Sequence, residues 1–379
     1  MLFVTPLFPP TASGIGDYTE KLAAALTQRG HHVSVLTSYV GHPIRNENKS
    51  LLIFRSVRTW GLRGFAKLAQ APRRLEMDLI NLQYVPHAYG RGGINLAFPF
   101  VVLWWRVILR RRIILTCHEL HVAWRLHPSY LLQAMVHRLQ LRILVAAANR
   151  VIVMTEGQRQ QLQASMVKWI RRPLDVVPVG TTILPHPRAP SRQALLRNQL
   201  GRDDERLIGA FSLARCPQLE TMEETVVQAL RQEGQRVRLI SLGAGISLGR
   251  EGPAFPWKQT FGYLPEATLS GYLASLDVLL SLRSEGPTTR NTSIISALAH
   301  GVPVVAVEGR QPGQHSFWID SGVTTVAHTP AAIVRAVGAL LENDRERQRL
   351  SRQARAFYRQ HFSWERIARA VEFLCKENA

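Results

Sequence analysis

Residues Leu279–Val307 read LLSLRSEGPTTRNTSIISALAHGVPVVAV, and four consecutive segments can be read along them. An apolar run, Val278-Leu279-Leu280, follows Asp277 and has the character of a buried strand. Ser284 to Ser293 is a polar loop with Gly286, Pro287, three threonines, Arg290 and Asn291. Ile294 to Ala299 is patterned as a short helix, and Gly301 stands where a helix C-terminus favours positive φ. Pro303 stops that helix, and Val304 to Val307 is a second buried strand. Strand, loop, helix and strand make one turn of a parallel α/β sheet, whose ligands bind beyond the carboxyl ends of the strands.

The loop carries the chemistry. A helix starting at Asn291, Thr292 and Ser293 offers unpaired backbone N–H groups and a positive dipole end, which suit a phosphate or diphosphate. Arg290 adds a permanent forked cation that matches phosphate oxygens. Glu285 cannot serve an anion; its acceptor-only carboxylate suits sugar hydroxyls. A plain αβ connection would share the same strands, but the loop is richer in anion-binding groups than a turn requires.

The tail Ala297–Val305, ALAHGVPVV, resembles the E-A-M-A-x-G-x-P-V-V segment of family 4 glycosyltransferases, which have the GT-B fold. In that register Ser296 takes the place of the family's second glutamate, and Glu285 lies eleven residues before it, farther than in the family. The resemblance is therefore to a divergent branch.

The bulk properties fit two soluble α/β domains. The chain has 379 residues, 46% of them hydrophobic and 20% charged, ample for two cores. Cys117, Cys216 and Cys375 lie far apart, which points to a reducing compartment without a metal or disulfide framework. The N-terminus lacks a basic region and cleavage site, and the apolar run from Ile94 to Leu109 is too interrupted to span a bilayer. A cytoplasmic protein is expected. Net charge is +20, with 23 Lys and Arg against 8 Asp and Glu in residues 1–180. Such a field attracts nucleic acid, anionic lipid or an acidic substrate, or simply belongs to a solvated basic surface. No aromatic-interleaved basic motif supports a nucleic-acid partner.

Earlier segments repeat the strand–loop–helix theme. Leu2-Phe3-Val4 is a strand, and the loop through Ser13-Gly14-Ile15-Gly16 opens a helix. Gly14 and Gly16 allow backbone to approach a ligand at that helix start. The segment resembles the family opening F-P-P-x-x-S-G-I-G-D-Y. Asp78 to Gln83 is another strand. The following helix, Leu96 to Leu109, carries Trp104 and Trp105 beside Arg106 and the Arg110-Arg111-Arg112 cluster. It reads either as an interfacial helix facing an anionic membrane or as a packed helix with a basic last turn. Ile113 to Thr116 is a strand leading to Cys117-His118-Glu119-Leu120. His118, at a strand's carboxyl end, could hold a sugar hydroxyl or act as a base near pH 7. This stretch resembles the family's V-x-T-x-H-D/E-L.

In the second half, Phe211–Gln218 keeps Arg215 of the family's diphosphate loop but has Pro217-Gln218 in place of Lys-Gly. The resemblance runs from Pro9 to Ala368. It implies two Rossmann-like parallel α/β domains facing across a cleft, residues 1–184 for the acceptor and 190–355 for the nucleotide sugar, with residues 356–379 a C-terminal helix returning to the first. It also implies a retaining, metal-independent, hexosyltransferase-type enzyme using a nucleoside-diphosphate sugar as donor substrate and no other cofactor. The acceptor would be a glycan or a lipid diphosphate of the cell envelope, handled at the inner face of the membrane. Gly14, Gly16, Arg215, Arg290, Asn291, Thr292, Ser293 and Ser296 would bind the donor, while Glu285 would hold its sugar and His118 would face the acceptor. The departures at Pro217 and Ser296 leave a second reading, a non-catalytic homologue that binds a ligand or partner.

Overall fold

The computed structural model describes residues 1–379 apart from 41–50, 125, 166–171, 187–189, 203, 213–216, 244–254, 310–314 and 377–379. Two compact units divide the chain: residues 1–178 with 364–379, and residues 179–363.

The first unit contains β1 (Leu2–Val4), β2 (Val33–Ser38), β3 (Leu51–Val57), β4 (Leu79–Tyr84), β5 (Arg112–Cys117), β6 (Arg150–Val153) and β7 (Leu174–Val176). They form one sheet in the order β3-β2-β1-β4-β5-β6-β7, with every pairing parallel. Helices α1 (Gly14–Gln28), α2 (Phe65–Arg74), α3 (Ala97–Val107), α4 (Pro128–Ala147) and α5 (Glu156–Ser165) connect them. Leu2, Phe3 and Val4 have no exposed surface, as a strand covered on both faces requires.

The second unit contains β8 (Arg206–Phe211), β9 (Val237–Leu242), β10 (Lys258–Phe261), β11 (Val278–Ser281), β12 (Val304–Val307) and β13 (Val323–Val326). Its order is β10-β9-β8-β11-β12-β13, again all parallel. Its helices are α6 (Pro190–Leu200), α7 (Pro217–Gln232), α8 (Glu266–Ala274), α9 (Thr292–His300), α10 (Pro330–Glu342) and α11 (Asp344–His361). Both sheets are doubly wound. Strand order reverses between β1 and β4 in one and between β8 and β11 in the other, and the loops leaving these strands are the expected ligand positions.

The passage between units falls at Pro178/Val179, upstream of residues 184–192, the Pro/Arg-rich segment that the sequence offers as the linker. Val179 N–H already donates to the Thr289 carbonyl at 3.0 Å, and Thr181 is fully buried beside Ser296. The last helix, α12 (Trp364–Lys376), belongs to the first unit and packs on α1. Tyr18 and Trp364 meet edge-on at 5.3 Å, and Arg29 grips Glu372 through Nε at 2.8 Å and Nη2 at 2.5 Å.

The basic aromatic helix separates into two kinds of residue. Trp105 is 0% exposed and donates its Nε1–H to the Leu68 carbonyl at 2.9 Å, so it is a core residue and not an interfacial one. Trp104 is 41% exposed and shares a face with Phe100, Val107 and Ile108. The arginine cluster is likewise divided. Arg111 pairs with Asp78, and Arg112 donates to the Cys375 carbonyl of α12. Arg110 is exposed. No helix among the described residues is long and apolar enough to cross a membrane.

Candidate functional site

In the second unit the switch point is bordered by the loop after β11. Asn291 caps α9, its side chain accepting from Ile294 N–H at 3.3 Å while its Nδ2 donates to Ser281 Oγ at 3.3 Å. This spends one of the helix's orphan donors and leaves those of Thr292 and Ser293 at the first turn. Arg290 is exposed immediately before the cap. At the other end Gly301 adopts φ 72°, ψ 32° and closes the helix, as its position in the sequence predicts.

The loop before the cap is held by backbone contacts. Gly286 has φ +72°, and a Cβ there would lie 2.4 Å from Gly309 N; a Cβ on Gly309 would lie 2.2 Å from the Glu285 carbonyl oxygen. The loops after β11 and β12 therefore touch backbone to backbone, which only glycine permits. Pro287 accepts from Trp318 Nε1 at 3.1 Å and Thr289 from Val179 N. Fixed this way, Glu285 holds its side chain 62% exposed, 3.6 Å from Arg283.

Ser296 has a different setting. It is 0% exposed on the inner face of α9, donates to the Thr292 carbonyl at 2.7 Å and lies 2.5 Å from the Thr181 hydroxyl. Its hydroxyl ties α9 to the segment that enters the unit. Arg215 lies outside the described residues. Pro217, where the family has a lysine, is the first residue of α7; proline suits that position because the missing N–H has no helical partner there.

In the first unit, Ser13 caps α1 by accepting from Gly16 N–H at 3.0 Å. The two glycines differ. A Cβ on Gly16 would fall 3.0 Å from the Leu7 oxygen and Phe8 Cα, so its reason is packing. A Cβ on Gly14 would meet nothing within 4 Å.

His118 follows β5 and is held from several elements. Its N–H donates to the Tyr84 carbonyl at 3.0 Å, and its carbonyl accepts from Gln158 Nε2 at 3.0 Å. Its Nε2 lies 2.8 Å from Gln83 Oε1, and its ring meets the edge of Tyr18 at 4.7 Å. Gln158 can reach it because Thr155 and Gln158 form a capping box at α5: Thr155 Oγ1 accepts from Gln158 N, and Gln158 Oε1 accepts from Thr155 N. Glu119, next in sequence, is exposed.

The structure thus brings Glu285, Arg290, Asn291, Thr292, Ser293 and Ser296 onto one loop and helix, and Gly14, Gly16 and His118 into the first unit. Sequence reasoning missed Gly309, Gln158 and the buried pair Asn81 and Gln83. The T-x-x-Q of Thr155–Gln158 and the two amides at alternate positions of an apolar strand were the available signals.

Two doubly wound parallel sheets, each carrying a helix start at its switch point, define the GT-B architecture. The sequence profile of Glycosyltransferase Family 4 matches residues 12–182, and a profile described as glycosyl transferase-like matches residues 220–372. With this fold, the chain belongs to the family 4-type glycosyltransferases. No curated protein sequence matches it significantly. Among solved structures, sucrose-phosphate synthase from Thermosynechococcus elongatus is similar at TM-score 0.69 and 16% identity, covering 100% of this chain and 98% of that one. Anabaena HepE, in complex with UDP and glucose, is similar at TM-score 0.66 and 17% identity, covering 99% of each chain. WaaG, a glycosyltransferase involved in lipopolysaccharide biosynthesis, is similar at TM-score 0.63 and 14% identity, covering 99% of each chain.

Proposed function

We propose that this protein is a retaining glycosyltransferase that takes a hexosyl group from a nucleoside-diphosphate sugar and passes it to a glycan or lipid-diphosphate acceptor at an anionic membrane surface. The observation that carries the donor half is the capped start of α9 with Arg290 beside it, at the switch point of the second sheet. Anabaena HepE, of the same fold, was crystallised with UDP and with UDP-glucose.

In this reading the second unit holds the donor. Arg290 and the N–H groups of Thr292 and Ser293 stabilise negative charge as it develops on the leaving diphosphate, which is transition-state electrostatics supplied by fixed donors. Glu285 accepts hydrogen bonds from the donor sugar. The first unit serves the acceptor through His118. Membrane docking rests on the exposed face of α3, where Phe100, Trp104, Val107 and Ile108 lie together and Arg110 follows. The cytoplasmic face, where anionic lipids attract basic proteins, suits this charge.

A second reading, a homologue that binds a nucleotide sugar without turnover, draws on Ser296. A buried, satisfied hydroxyl occupies the place of a family glutamate. One screen separates the readings. Nucleoside diphosphates at about a hundredfold excess over Kd raise stability by about 2.7 kcal/mol, visible as an increase in Tm. A Tm increase with sugar release or transfer upholds the proposal, an increase without turnover favours the second reading, and no increase with any nucleotide overturns both.

A further inference from the structure

Helix α4 turns polar side chains inward and apolar ones outward. Gln133, His137 and Gln140 share one side of it at helical spacing, while Leu132, Met135 and Leu139 are exposed. The polar side covers the loop of residues 85–96, which leaves β4 at the switch point of the first sheet. Bare loop carbonyls need donors, and α4 supplies them. Gln133 Nε2 donates to the Gly92 carbonyl at 2.5 Å and Gln140 Nε2 to that of Gly93 at 2.9 Å, while Gln140 Oε1 accepts from Asn95 N–H at 2.7 Å. His137 sits between the two glutamines with no exposed surface, its Nε2 3.1 Å from the Gly92 carbonyl oxygen. Gly93 has φ +76°, and a Cβ there would lie 2.4 Å from His137 Nε2, so the loop passes against the imidazole with no room for a side chain. On its other side the loop is tied to the sheet, where the Tyr89 hydroxyl donates to the Gln83 carbonyl at 2.7 Å and lies 3.2 Å from that of Val4.

We infer that His137 is a proton-released latch: its neutral ring holds residues 85–96 against α4, and a proton taken up at Nδ1 frees the loop from the helix. A carbonyl accepts only from an N–H, so the Gly92 contact places the proton of the neutral ring on Nε2. Nδ1 is then bare, and it is buried with no hydrogen-bond partner among the described residues. A second proton would enter there with no acceptor to meet it and with a charge to bury. The titratable and charged groups acting on the ring are His87 of the turn Pro86–Ala88, which meets it edge-on at 5.3 Å, His121 after β5, and Arg138 on α4 itself. None is a carboxylate. Burial is the largest influence and holds the imidazole below its ordinary 6.5; the Gly92 carbonyl pulls upward, and the three neighbours push down again. The latched ring therefore binds a proton more weakly than a released one. The latch is complete above pH 6.5 and weakens as pH falls through the lowered value.

The test is amide hydrogen exchange of the full-length chain, corrected for the intrinsic pH dependence of exchange and read at Asn95, whose N–H is held by Gln140. Above pH 6.5 its protection should be constant, and below that it should fall by up to about tenfold per pH unit until the folded-state midpoint is passed. Leu82, buried in β4, should keep its protection throughout. His137→Gln retains an amide donor for the Gly92 carbonyl and does not titrate, so protection at Asn95 should persist and lose its pH dependence. Constant Asn95 protection between about pH 7 and 5 in the wild type overturns the latch. So does the wild-type pH dependence in His137→Gln, or a parallel loss at Leu82, which would mean that the whole unit opens. If the variant fails to fold, the ¹⁵N titration of the His137 ring takes its place: a midpoint below 6.5 upholds the latch, and one at or above 6.5 overturns it.

Discussion

Arg290 and Ser296 sit on the same helix start and have opposite characters. Arg290 is exposed at the mouth of the switch point, where a guanidinium can lie against phosphate oxygens with two parallel bonds. Arg290→Ala is expected to weaken binding of whichever nucleoside diphosphate raises Tm by about 1.5–3 kcal/mol, the range for a hydrogen bond to a charged group, without changing Tm of the unliganded protein. Titration calorimetry checks this, and unchanged affinity would remove Arg290 from the site. Arg290→Lys should recover only part of the loss, since an ammonium cannot bond in the same forked way. Ser296 faces inward, with its hydroxyl 2.5 Å from that of Thr181. It belongs to the architecture that holds the helix start in place, whatever touches the ligand.

At the scale of elements, the helix–loop–strand unit from Val278 to Val307 was legible because each of its parts has a local cause. The apolar runs give the strands, Gly301 ends the helix and Pro303 prevents its extension. What was not legible depends on partners distant in sequence. Nothing local in β4 says that Asn81 and Gln83 face Thr116 and His118, or that Gly309 must be bare because Gly286 passes against it. The Trp104-Trp105 pair shows the same limit: adjacent residues on a helix point about 100° apart, so one entered the core and its neighbour did not. The exposed face of α3 is consequently narrower than the sequence suggested. Its expected behaviour is co-sedimentation with anionic liposomes, weak with neutral ones and lost near 0.5 M salt, where the Debye length falls to about 4–5 Å. Trp104→Ser with Ile108→Ser should reduce that binding at little cost in stability, whereas Trp105→Ala would cost about 3–5 kcal/mol. Equal binding to neutral and anionic vesicles would remove the charge component of the proposal.

For the whole molecule, the attachment of α12 to α1 gives a pH signature. Hydrogen bonds from Lys376 and then Arg29 hold the Glu372 carboxyl down to about 2, from its ordinary 4.5. A carboxyl depressed by folding contributes stability that is fully present above its unfolded value and is lost as pH falls toward the folded one. The wild type should therefore lose part of its stability between about pH 4.5 and 2. Glu372→Gln should have a lower Tm at pH 7, and the difference from wild type should shrink across that window and vanish below it. A constant difference at all pH values would mean that the carboxylate is not the group that fastens the helix.

The first unit is assembled from both ends of the chain, and the second is one uninterrupted length. During synthesis on a ribosome the strands β1 to β7 emerge before residues 179–363, yet the helix that covers α1 emerges after them. Residues 179–363 can complete their sheet while the earlier residues still lack Trp364 against Tyr18 and Glu372 against Arg29. A chain truncated before Trp364 would leave an apolar strip of α1 bare, so the loss of a late segment would damage an early one.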